Sequence, residues 1–94
     1  MKAKKEITIE LISIKAEFNK LFRDMKLIPG APSDEFDSLS AKVISQLLKE
    51  VDSGKITRIV NSELTVRYGL HITHEISHQI SSDLLEVWNH RKFL

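Results

Sequence analysis

The 94-residue chain contains no cysteine. Disulfide staples, thiolate zinc sites and cysteine nucleophiles are thereby excluded, and the omission fits a reducing compartment. Glycine occurs only at the isolated positions Gly30, Gly54 and Gly69, so no glycine-rich loop can cradle a phosphate. No Gly-x-Ser-x-Gly turn presents a serine nucleophile. Tryptophan and tyrosine appear once each beside four phenylalanines, which makes a mainly aliphatic core the expectation. No apolar run approaches the roughly 20 residues that span a bilayer, so no membrane segment is expected. Charge of one sign is lacking too. Fourteen basic and 13 acidic side chains leave a formal net charge of +1, far from the basic surplus of a nucleic-acid binder. The start, Met1-Lys2-Ala3-Lys4-Lys5, has the basic character of a secretory signal. Glu6 and Glu10 interrupt the apolar stretch after it and no small-residue cleavage site follows, so a cytoplasmic protein is expected.

What is present is ordinary globular material, 41% hydrophobic and 29% charged, enough for a single domain over residues 1–94 with a modest core. Its periodicity predicts four helices. From about Lys5 to Lys26, Ile7, Leu11, Ile14, Phe18, Leu21, Phe22 and Met25 recur at steps of three and four. Two prolines around Gly30 then break the chain, and Ser33 or Asp34 is placed to cap a second helix over about Asp34–Val51. Its apolar face is Phe36, Leu39, Val43, Ile44, Leu47, Leu48 and Val51, and Gly54 suits the left-handed position after its end. A third segment, about Lys55–Tyr68, closes at Gly69. A fourth, about Thr73–Lys92, carries the stripe Ile72, Ile76, Ile80, Leu84 and Val87, with Thr73 as its cap. The fold class expected is all-α, a four-helix bundle. The competing reading is α+β, because residues 7–11 and 64–72 also alternate in the manner of short strands.

The stretch Ile28-Pro29-Gly30-Ala31-Pro32-Ser33-Asp34-Glu35-Phe36-Asp37, with Ile44, Leu47, Leu48, Asn61, Leu64, Tyr68 and Gly69 further on, resembles a family of small all-helical bacterial proteins. In that family a Pro-x-Asp-Glu-Tyr-Asp box opens the second helix. The resemblance implies an all-helical domain of about this length and no particular activity. The residues of the box explain themselves without a ligand: Asp34, Glu35 and Asp37 put negative charge at a helix start, and Phe36 anchors the turn.

One string carries chemical meaning. His74-Glu75-Ile76-Ser77-His78 is the His-Glu-x-x-His pattern of zinc metallopeptidases, in which two imidazoles at i and i+4 hold the ion and the glutamate acts as general base. On a helical wheel His71, His74 and His78 share the side opposite the apolar stripe. These three are the candidate metal ligands, zinc the candidate cofactor and Glu75 the candidate catalytic base. The extended peptidase pattern is broken, since Ser81 and Leu84 stand where glycine and a third histidine belong. His71 or Asp83 would have to complete the site, and Glu86 lies on the same helix. An enzyme is therefore not the expectation, and a helix face without resident cofactor is the commoner explanation of the string.

Residues 1–26 carry seven basic and four acidic side chains, and residues 33–53 two and five, a split that would suit association of segments or of copies. Lys55, Arg58, Asn61 and Arg67 could face a nucleic-acid groove, but Glu63 interrupts them. The expectation is a small non-enzymatic protein that acts on a protein partner or on itself. Ile9, Ile12, Ile28, Val66, Leu85 and Phe93, outside the core stripes, are the candidate association patch.

Overall fold

The computed structural model describes residues 4–32 and 34–91, with the side chains of residues 10–32 and 34–90. Helices α1 (Lys4–Asp24), α2 (Asp37–Leu48), α3 (Ser53–Val66) and α4 (His74–Arg91) follow in order, and no strand occurs among the described residues. The strand readings are overturned. Residues 7–11 lie inside α1, because their alternation is brief and the three-four spacing runs on through Phe22. Residues 64–66 complete α3, and residues 67–73 form a connection that turns at Gly69 with φ +65°, a left-handed conformation foreign to a strand.

Each helix packs on its neighbours in a ring. Among the described residues α1 lies against α2 and α4, and α3 lies against α2 and α4, while the diagonal pairs do not meet. The α1/α4 face and the α2/α3 face are therefore on opposite sides of the bundle. The core between the helices is built from Ile14, Phe18 and Phe22 of α1, Leu39, Val43 and Leu47 of α2, Ile56, Val60 and Leu64 of α3, and Ile80, Leu84 and Trp88 of α4.

The Pro-Gly break is a type II turn. Ala31 N donates to Ile28 O at 3.2 Å, with Pro29 at the position that favours proline and Gly30, at φ +74°, where only glycine is unstrained. Helix α2 starts at Asp37, three residues later than expected, and no side chain caps it; Ser33 lies outside the described residues. Asp34–Phe36 instead form tight turns, Glu35 N to Pro32 O and Asp37 N to Asp34 O, both 3.1 Å. The ring of Phe36 decides this geometry. It is 1% exposed, stacks on Phe22 at 5.2 Å and meets the tilted ring of Tyr68 at 5.2 Å, pinning the box to the ends of α1 and α3. Tyr68 Oη donates to Glu35 O at 2.9 Å. Burial first, and the Glu35 charge second, push this hydroxyl above its ordinary pKa, so it stays a donor at neutral pH.

The chain leaves α2 through Glu50, not Gly54, in the left-handed conformation at φ +57°. Gly54 belongs to the first turn of α3, whose cap is Asp52; its carboxylate accepts from Lys55 N at 2.8 Å. Leu48, expected in the core, is 46% exposed. The buried face of α4 also differs from the isoleucine stripe: Ser77, Ile80, Ser81, Leu84 and Trp88 point inward, and Ile76 is 40% exposed. Two serines one turn apart allow close approach of a neighbouring helix, and the large Trp88 gains more from burial than Ile76 does.

Candidate functional site

The His-Glu-x-x-His string occupies the first turns of α4. Thr73 caps it as expected, its hydroxyl accepting from Ile76 N at 3.1 Å. His74 and Glu75 are the first two helical residues, and His78 follows one turn later; all three are exposed. Glu75 therefore sits where a carboxylate stabilises the positive end of a helix dipole. The same dipole opposes a cation at His74. His71 lies in the connection before α4, so the helical geometry that grouped it with the other histidines does not apply to it. Ser77, between the two helical histidines, turns inward and is fully buried. Asp83 accepts from Gln79 Nε2 at 3.0 Å and, with Glu86, lines the groove between α1 and α4. Among the described residues no group of three or more histidine and carboxylate side chains comes together as a metal site. The arrangement offers His74 and His78 as an exposed pair at i and i+4, able to share one surface ion.

The acidic box has structural work. Lys15 Nζ of α1 lies 3.1 Å from both carboxylate oxygens of Asp37, and Asn19 Nδ2 donates to the same carboxylate at 3.3 Å. The chain of hydrogen bonds continues inward, Ser40 Oγ donating to Asn19 Oδ1 at 2.5 Å, where Ser40 is fully buried. The hydrogen bond from Lys15, then that from Asn19, hold the Asp37 carboxyl below the usual carboxylate range.

The four residues considered for a nucleic-acid groove separate. Asn61 Nδ2 donates to Ile72 O at 3.2 Å and to Ser77 Oγ at 2.8 Å, fastening α3 to the connection and to α4. Arg67 approaches the Glu63 carboxylate at 3.7 Å, and Lys42 of α2 donates to that carboxylate from the other side. Only Lys55 and Arg58 remain on the α2/α3 face.

Two of the grooves on the described surface lie between neighbouring helices. The α1/α4 groove, about 500 Å³, is lined by Glu17, Leu21, Asp83, Glu86, Val87 and His90, and extends over Lys20 and Asp24. The α2/α3 groove, about 380 Å³, is lined by Lys42, Lys55, Arg58, Ile59, Ser62 and Glu63. Neither was legible as a site in the sequence, although the spacing Asp83, Glu86, Val87 and His90 marks one helix face. Of the candidate association residues, Ile12 is 61% and Val66 77% exposed, whereas Ile28 and Leu85 are half-buried against the core. The side chains of Ile9 and Phe93 lie outside the described residues.

Comparison with known proteins finds no matching family model, no matching curated protein and no matching solved structure.

Proposed function

We propose that this chain is a small, non-enzymatic helical protein that acts by binding protein, with a second copy of itself as a partner. The observation that carries the reading is the exposure of large apolar side chains beside a filled core. Val66 leaves 77% and Ile12 61% of its surface in water, while the helices that bear them are anchored by Leu64 and by Ile14 at 2% exposure or less. Complete burial of such a side chain is worth about 1.5–3 kcal/mol, so a few of them supply the apolar part of an interface. A cysteine-free composition supports a reducing, cytoplasmic setting. The aromatic anchoring of Phe36 supports kinship with the small bacterial proteins that carry the Pro-x-Asp-Glu-Tyr-Asp box.

Sedimentation equilibrium tests the reading. The wild-type chain should associate at micromolar concentration, and Val66→Asp should weaken that association without loss of helix. A second reading is favoured by one observation, the exposed i, i+4 pair His74 and His78. It holds that the chain takes up zinc at this surface, with Glu75 beside it as a base. Zinc-dependent peptide hydrolysis, lost in Glu75→Gln with zinc still bound, would replace the first reading by this one.

A further inference from the structure

The near-neutral net charge conceals two oppositely charged faces. In the α1/α4 groove, Glu17, Asp24, Asp83 and Glu86 surround a floor of half-buried Leu21 and Val87. Among the described residues one lysine enters that acidic rim, Lys20, which lies 3.7 Å from Asp24, and His90 lines the groove beside Glu86. Across the bundle, the α2/α3 groove brings together Lys42, Lys55 and Arg58 against the single carboxylate of Glu63. Lys42 engages that carboxylate, whereas Lys55 and Arg58 have no ion pair among the described residues. The same face carries apolar surface. Lys55, Ile59, Ser62 and Val66 follow one another on α3 at steps of four, three and four, a single stripe of the helix. Val66, at its end, is the most exposed large hydrophobic residue of the described surface.

We infer that copies of this chain associate head to tail, the basic α2/α3 face of one seating Val66 and its flanking cations in the acidic α1/α4 groove of the next. This rests on the self-association proposed above and names the two faces that carry it. A symmetric dimer through either face would set like charges against like, which disfavours it; pairing one face with the other satisfies both. The apolar contact of Val66 with Leu21 and Val87 supplies affinity, and the charges supply orientation and sensitivity to salt. Because the two faces lie on opposite sides of the ring of helices, each added copy leaves one face open at each end. Association then extends beyond two copies or closes into a ring.

Two variants with damage on opposite faces test this. Asp83→Lys/Glu86→Lys reverses the rim of the groove and leaves the α2/α3 face intact; Val66→Asp does the converse. Both alter surface positions, and retention of the helical circular dichroism signal identifies the folded material. Each alone should remain monomeric where the wild type associates. An equimolar mixture should form a 1:1 heterodimer that does not grow, since one undamaged face of each kind remains. If the wild type associates and Asp83→Lys/Glu86→Lys associates within threefold of it, the head-to-tail assignment is overturned and self-association stands. Failure of the mixture to recombine, with both variants folded, overturns it as well. A wild type that is monomeric at every concentration and salt overturns both readings. Wild-type binding to a short DNA duplex, lost in Lys55→Glu/Arg58→Glu without any self-association, would reassign the basic face and also overturn the inference.

Discussion

Replacing Phe36 by alanine should cost this small domain a large part of its stability. The ring is 1% exposed and lies between Phe22 and Tyr68, with both centroid separations at 5.2 Å. Truncation of a buried phenylalanine costs about 3–5 kcal/mol, from lost transfer energy and from the cavity left behind. Phe36 sits at the mouth of the bundle, where Tyr68 is half-buried and can relax, so about 3 kcal/mol is the expected loss. A domain of this size has a total of roughly 5–15 kcal/mol, and each kcal/mol shifts its melting point by roughly 4–8 °C. A fall on the order of 12–24 °C is therefore expected. Thermal and urea unfolding followed by circular dichroism measure it, with Asp34→Ala as the contrast. Asp34 is exposed and makes no cap, so its replacement should cost less than about 0.5 kcal/mol. If Asp34→Ala cost about 1 kcal/mol or more and Phe36→Ala cost less, the acidic charges and not the ring would hold the box, and the reasoning would fail.

The Asp37 carboxyl, held low by Lys15 and Asn19, contributes stability that is complete above its unfolded pKa of about 4 and lost as pH falls through the lower folded value. Urea midpoints measured from pH 6 to 2 should drop for the wild type below about pH 4, and drop less for Asp37→Asn. Changing His74 and His78 together to alanine should leave the unfolding curve nearly unchanged, because both are exposed. The same change should abolish any calorimetric zinc uptake. Glu50→Gly should stabilise by roughly 0.5–1 kcal/mol by relieving a left-handed non-glycine residue, and Gly69→Ala should destabilise by about 1 kcal/mol. Unchanged urea midpoints in both would show that these conformations carry no strain.

The four helices were legible because Ile14, Phe18, Phe22 and the rows on α2 and α3 repeat with helical spacing, and the Pro29-Gly30 turn and the Thr73 and Asp52 neighbourhoods punctuate them. The second helix start differs from the sequence reading because local charge favours a cap at Asp34, whereas the tertiary ring contacts of Phe36 with Phe22 and Tyr68 hold those residues in turns. The left-handed position after α2 falls on Glu50 in place of Gly54, since the short connection between α2 and α3 requires the reversal before Asp52 can begin the next helix. On α4, counting isoleucines misjudged the buried face. Ser77 is drawn inward by its hydrogen bond from Asn61, a partner 16 residues away that no local pattern reveals. The His-Glu-x-x-His string was visible at once, yet its meaning depends on a third ligand and a neighbouring strand, which are tertiary features. The charged faces were hidden for the same reason: Glu17 and Asp83 belong to distant segments that only the packing of α1 on α4 unites.

Sedimentation equilibrium of the wild-type chain across micromolar concentrations, at low and at high salt, tests the central claim most directly. A mass average that climbs above the 10.8 kDa of one copy with concentration, and falls back as salt is raised, is the predicted result. A value that stays at 10.8 kDa under every condition would contradict it.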